Sequence, residues 1–124
     1  YQHLSRFYKD FDILAVGMEC VGAPYTWLYG ALTTRPVAKN IKASRRLNGS
    51  DFERALPMAE VFTPRRVYIY ALGAEPCYKY ITGIDYHDDS RQIVESGKMI
   101  AACQAMGIEA ECMFGKKTIA FDPL

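Results

Sequence analysis

Phe11-Asp12-Ile13-Leu14-Ala15-Val16-Gly17-Met18-Glu19-Cys20-Val21-Gly22-Ala23-Pro24-Tyr25-Thr26-Trp27-Leu28-Tyr29-Gly30 is the stretch on which the reading of this chain turns. Ile13 to Val16 form an apolar run too short for a globular helix. Bounded by Asp12 and Gly17, it predicts a strand over roughly 12–18 that is buried on both faces. Glycines at 17, 22 and 30, with Pro24, then disfavour regular structure, while Tyr25, Trp27 and Tyr29 supply large ring surfaces. A buried parallel strand opening into such a loop is where open α/β proteins place ligand sites.

Upstream, residues 1–10 read as a short amphipathic helix or turn offering Leu4, Phe7 and Tyr8 for packing. Downstream, residues 31–47 carry Thr33, Thr34, Arg35, Pro36, Lys39, Lys42, Arg45 and Arg46 without periodicity, a basic, mobile excursion. Ser50 and Glu53 then match a capping box and predict a helix with Phe52, Leu56, Ala59, Val61 and Phe62 as its inward candidates. Pro57 should kink or split that helix, because it removes the bond to the Glu53 carbonyl. Val67 to Leu72 is the best strand, opening on four β-branched or aromatic residues and ending at Gly73.

A further helix begins at Asp89, paired with Gln92, and closes at Gly107, with Ile93, Gly97, Ile100 and Ala101 on one face. Ile108–Phe114 and Thr118–Phe121 read as two strands of a hairpin turning at Gly115-Lys116-Lys117. Alternating strands and helices predict an α/β class with right-handed crossovers.

With 124 residues, residues 1–124 read as a single α/β domain or part of one. Half the residues are apolar and 23% charged, which excludes a disordered chain. A formal net charge of +1 gives no general attraction to nucleic acid or an anionic membrane. No window approaches the roughly 18 uninterrupted apolar residues of a membrane span. The four cysteines, Cys20, Cys77, Cys103 and Cys112, stand far apart without a Cys-x-x-Cys pair, which argues against a zinc ribbon and for a reduced, cytoplasmic chain. Tyrosine rather than methionine at position 1 reads as a processed chain or a piece of a longer one.

Candidate chemistry is sparse. His87-Asp88-Asp89 is the only imidazole beside two carboxylates, but adjacent loop residues seldom converge on one ion, and Asp89 reads first as a helix cap. Arg45 and Arg46 precede the helix start at Asn48-Gly49-Ser50-Asp51, so they are either anion contacts or solvated surface. Glu19 follows the first strand, where it is either a general acid or base or a partner for loop amides. Cys20 would need a base in reach to act as a nucleophile, and an inert thiol is the simpler reading. Tyr25, Trp27 and Tyr29 either wall a substrate pocket or cover the core or a partner surface.

The first strand Phe11–Leu14, the opening Gly17-Met18-Glu19, the helix Asn48–Phe62, the strand Val67–Gly73 and the final Asp89–Phe114 together resemble the C-terminal half of a metallo-β-lactamase-fold hydrolase. The resemblance is to the lactonase and phospholipase-D-type branch. It implies part of an αββα sandwich and a parent enzyme using two metals to activate water. The family's His-x-His-x-Asp-His cluster is absent from this chain, and Ala71-Leu72-Gly73 stands where a last histidine ligand would follow the strand. The implication is a fragment, or a metal-free form, that holds no cofactor itself, with zinc, iron or manganese in a full-length parent.

In that reading Glu19, Tyr25, Trp27 and Tyr29 line the mouth of a small-molecule pocket and Arg45 and Arg46 contact an anion. The bare sheet face of a half-sandwich would drive self-association or pairing with a missing N-terminal segment. The rival from another class is a non-enzymatic α/β binding or assembly module whose aromatic loop meets a protein. A third option is a small thiol enzyme using Cys20.

Overall fold

The computed structural model describes residues 1–24, 38–40, 46–82 and 85–121. In chain order its elements are a 3-10 turn (Leu4–Arg6), β1 (Ile13–Gly17), β2 (Val21–Pro24), β3 (Arg46–Asn48), α1 (Phe52–Phe62), β4 (Arg66–Tyr70), α2 (Tyr78–Thr82), α3 (Arg91–Ala105) and β5 (Glu109–Cys112). β1, β4 and β5 form a parallel sheet in the order β1-β4-β5, and β2 pairs antiparallel with β3. The α/β class predicted from the alternation of patterns is the class observed.

Leu14, Val67 and Ala110 share one register row, and Val16, Ile69 and Cys112 share the next but one. Side chains alternate along a strand, so both rows point to one face. There they meet Ala55 and Ala59 of α1 and Met99 and Cys103 of α3 in a single core, and the two helices also pack on each other. β1 was expected to be buried on both faces. It lies instead at an edge of the described sheet with Ala15 exposed, and β4, flanked on both sides, takes that place with Val67, Tyr68 and Ile69 all buried.

On the opposite face Tyr68 is covered by the Lys117 ammonium, 5.2 Å from its ring centroid, and Lys117 also pairs with Glu111. This segment is not the predicted hairpin: residues 113–121 form no strand. Gly115 donates its N–H to Glu75 Oε1 at 3.3 Å, and the chain turns over the sheet face instead of pairing with β5.

α1 begins one residue later than the capping box predicts. The Ser50 carbonyl is engaged by the Cys20 N–H at 3.1 Å, so Asp51 becomes the N-cap and its carboxylate accepts the Arg54 N–H at 3.3 Å. Pro57 does not split the helix, which runs unbroken with Ala55, Ala59 and Phe62 buried. The helix ends at Thr63, held at φ +45°, a left-handed conformation that is an outlier for a β-branched residue. Thr63 Oγ1 donates to Asp10 Oδ1 at 2.9 Å, and Asp10, itself at φ +56°, donates its N–H to the Phe62 carbonyl. Phe11 stacks edge-on against Phe62 across this clamp, with ring centroids 5.5 Å apart. The short helix or turn read over 1–10 is the 3-10 turn Leu4–Arg6, but Leu4, Phe7 and Tyr8, expected to pack, stay exposed.

α3 starts at the Ser90 cap, and no Asp89–Gln92 box forms. It buries Ser96, Met99 and Cys103, so its inward stripe is rotated by about one residue from the predicted one. Gly97 and Ala101 are exposed and offer little apolar area to bury. Its end matches expectation. Gly107, at φ +77°, donates to the Gln104 carbonyl while the Ile108 N–H reaches the Cys103 carbonyl, and the core contact of Ile108 completes the stop.

Candidate functional site at the carboxyl edge of the sheet

Where β1 ends, three segments converge. Cys20 turns the chain at φ +65° and donates its N–H to Ser50. Gly49 lies so close that an added Cβ would stand 3.3 Å from both Cys20 N and Glu19 Cβ, so only glycine fits without displacement. From the other side, Gln92 Nε2 in the first turn of α3 donates to the Glu19 carbonyl at 3.5 Å. The Glu19 backbone is therefore held between two elements, and its half-buried side chain stands at the edge where open α/β sheets place their ligands.

The electrostatics of this corner are set by the carboxylates of Glu95 and Asp51 with the cations Lys98 and Arg91. Glu95 Oε2 accepts the Phe52 N–H at 3.0 Å and so caps α1 from α3, and its Oε1 accepts from Lys98 Nζ at 2.6 Å. The Lys98 bond first, and the Phe52 bond second, hold the Glu95 carboxyl below the usual carboxylate range. Arg91 Nη2 meets Asp51 Oδ2 at 3.3 Å. Two amides at the start of α1 are thus already occupied by Asp51 and Glu95, the places an incoming anion would use.

A carboxylate whose pKa is depressed on folding stabilises fully above its unfolded value, near 4.3, and that contribution is lost as pH falls through the range below. Glu95→Gln is therefore expected to cost about 1.5–3 kcal/mol at pH 7, the size of a hydrogen bond to a charged group. The gap from wild type should close as pH drops below about 4. Urea unfolding at the two pH values reads this directly, and an equal gap at both would refute the assignment.

Cys20 is fully buried, its Sγ contacts the Met18 carbonyl at 3.6 Å, and burial pushes its thiol up. Arg91 opposes that shift, while Glu95 and Asp51 add to it. A buried protonated thiol suits a packing role, not the nucleophile of a thiol enzyme. His87, Asp88 and Asp89 are all exposed, and the His87 N–H donates to Ser90 Oγ at 2.8 Å. Among the described residues no three His, Cys, Asp or Glu side chains cluster to hold a metal. Nor is any helix among them long and apolar enough to cross a membrane.

Of the predicted site residues, Glu19 is at this edge. Arg46 lies opposite Pro24 in the β2–β3 pair. Tyr25, Trp27, Tyr29 and Arg45 lie outside the described residues. Gln92, Asp51, Arg91 and Glu95 were not anticipated here. Adjacent Ser50 and Asp51 gave a cap signal one residue out of register, but nothing local in the sequence shows that α3 would reach back to residue 19.

No protein-family model matches the chain. It is 33% identical over 119 residues, 96% of its length, to the 4-amino-L-phenylalanyl-(CmlP-peptidyl-carrier-protein) 3-hydroxylase of Streptomyces venezuelae. Its structure superposes on the crystal structure of CmlA, a diiron beta-hydroxylase from Streptomyces venezuelae, with TM-score 0.68 at 34% identity over 91% of this chain. A glutamate-to-aspartate variant of that hydroxylase matches with TM-score 0.62 at 32% identity over 92%. The chain spans about a fifth of these relatives, 22% of the curated protein and 22% and 21% of the solved chains. The relatives have the metallo-β-lactamase fold, so this α/β arrangement corresponds to part of that fold. They are hydroxylases, and none supports the lactonase or phospholipase-D branch.

Proposed function

We propose that this chain is the portion of a diiron-type β-hydroxylase that carries one carboxyl sheet edge and its substrate-side loops. The substrate class is an aminoacyl group presented by a carrier protein. The observation that carries this reading is a TM-score of 0.68 at 34% identity to a diiron beta-hydroxylase across nearly all of the chain.

On this reading Glu19, Tyr25, Trp27 and Tyr29 face the substrate, and Arg45 and Arg46 are the cations available to an anionic part of it. Iron replaces zinc or manganese as the metal that the relatives suggest. The described residues do not form a two-metal site by themselves, because their donors do not cluster and His3 and His87 are both exposed. The ligands would come from chain outside them. Parallel sheets are usually covered on both faces, so the face bearing Ala15 and Tyr70 would pack against further chain or a second copy. These relatives do not support a metal-dependent hydrolase of lactonase type. A non-enzymatic assembly module is the weaker rival, since the relatives are enzymes.

The test uses the whole polypeptide of which this chain would be part, loaded with iron. Glu19→Gln and Trp27→Ala are each expected to keep the iron and lose on the order of 10²-fold in hydroxylation of a carrier-bound aminoacyl group, the scale of lost positioning. A whole polypeptide without iron, or both variants turning over at the wild-type rate, overturns the reading. Trp27→Ala that keeps turnover and loses assembly favours the rival.

A further inference from the structure

Tyr70 is the last residue of β4 and the register partner of Gly17, the last residue of β1. Alternation along β4 puts Tyr70 on the same face as Tyr68, away from the two helices. Tyr68 is buried beneath Lys117, whereas Tyr70, two residues nearer the edge, is 47% exposed. Its ring reaches sideways across the strand pair. A Cβ added at Gly17 would stand 3.6 Å from Tyr70 Cζ and 3.8 Å from its hydroxyl oxygen, with the Ala71 Cβ also at 3.8 Å. Any side chain longer than alanine at position 17 would press on the ring, so glycine here serves a close approach. The phenol end of Tyr70 is thereby set at the terminus of β1, two residues before Glu19.

Both strands leave this edge through non-glycine residues in the left-handed region, Ala71 at φ +61° directly after Tyr70 and Cys20 at φ +65° directly after Glu19. Strained backbone at the ends of two neighbouring strands is characteristic of turns that position groups for a ligand. Ala15, which lies one same-face pair further in, belongs to the part of this face that further chain would cover, and Tyr70 with Gly17 forms its rim. Among the described residues no hydrogen bond engages the Tyr70 hydroxyl.

We propose that Tyr70 is a further substrate-binding residue, seated on Gly17 so that its phenol O–H donates to the acyl oxygen of a carrier-bound aminoacyl group. The substrate half of this statement rests on the hydroxylase reading, whereas the seating of the ring on Gly17 does not. A neutral hydroxyl on a rigid ring suits a carbonyl oxygen, while the charged amine of the same group suits a carboxylate such as Glu19. The two residues at one edge thus offer partners for the two polar ends of an aminoacyl group. Tyrosine has few rotatable bonds to fix, and packing against bare backbone removes most of its remaining freedom before a ligand arrives.

The test is calorimetric binding to the iron-loaded whole polypeptide, kept without oxygen so that nothing turns over. The probes are a carrier protein loaded with L-phenylalanine and the same carrier without its aminoacyl group. Tyr70→Phe removes one half-exposed oxygen and keeps the ring on Gly17. It is expected to weaken the loaded carrier by about 3- to 10-fold, the scale of one hydrogen bond, and to leave the empty carrier unchanged. Tyr8→Phe, at an exposed tyrosine before β1, should change neither. Equal affinity of wild type and Tyr70→Phe for the loaded carrier overturns the proposal and leaves the hydroxylase reading standing. Equal weakening of both carriers also overturns it, because a merely structural role would act that way. A wild type that does not distinguish the two carriers overturns the hydroxylase reading of this edge and the proposal with it. The seating is read separately in the chain by NMR, where the Tyr70 ring ε protons should show a nuclear Overhauser contact to the Gly17 α protons, and its absence overturns the geometry on which the proposal stands.

Discussion

Replacing Ile69 by alanine is expected to lower stability by about 2–5 kcal/mol, the cost of emptying a fully packed aliphatic site. Ile69 is completely buried at the centre of β4, with Val16 on one side and Cys112 on the other in register. Its carbonyl accepts the Met113 N–H at 2.7 Å, which carries the chain past the end of β5. Neither the sheet nor the helices could close the void, because Ala55 and Ala59 of α1 are already small and Met99 of α3 is itself buried. Domains of this size are stable by roughly 5–15 kcal/mol, so one such change removes a large share of the margin. Urea unfolding of the purified chain measures it, with Val94→Ala on the exposed side of α3 as a control that should move by less than about 0.5 kcal/mol. A cost below about 1 kcal/mol would mean that β4 is not the centre of the core.

That centre was legible because Val67-Tyr-Ile-Tyr70 combines β-branched and aromatic residues in a run too short for a helix. Gly107 was legible as a helix stop for an equally local reason, since a left-handed residue there favours glycine. What failed depended on tertiary partners. The cap of α1 moved from Ser50 to Asp51 because Cys20, thirty residues earlier, takes the Ser50 carbonyl. The inward face of α3 turned because Gly97 and Ala101 offer little apolar area, and Ser96, Met99 and Cys103 are buried in their place. The predicted hairpin gave way because Lys117 covers Tyr68 instead.

The site divides in the same way. Glu19 could be placed from the sequence because a residue just past a strand needs only the strand to be located. Gln92 could not. Its bond to the Glu19 carbonyl joins residues 73 positions apart, and nothing local in the sequence marks it. Neither residue announces a chemistry by itself, and hydroxylation is a property of the longer proteins that this chain resembles.

Pro57→Ala should act in the opposite direction from Ile69→Ala and raise stability by about 1–3 kcal/mol. Proline in a helix interior is about 3 kcal/mol less favourable than alanine, because it lacks the N–H and its ring crowds the carbonyl four residues earlier. Here that carbonyl belongs to Glu53, which is exposed, so water already satisfies part of what the missing bond leaves open. Proline also restricts the unfolded chain, which offsets roughly 0.4–1 kcal/mol of the gain. Because α1 stays continuous across Pro57, the helix is held by Ala55, Ala59 and Phe62 against the core and by the caps at Asp51 and Glu95. Restoring the N–H should therefore add to a helix that is already formed and not rebuild it. Thermal unfolding would show a midpoint several degrees higher, with unchanged helical circular dichroism. A lower midpoint would mean that the half-buried pyrrolidine ring packs well enough to outweigh the bond it forfeits, and that α1 depends on its proline.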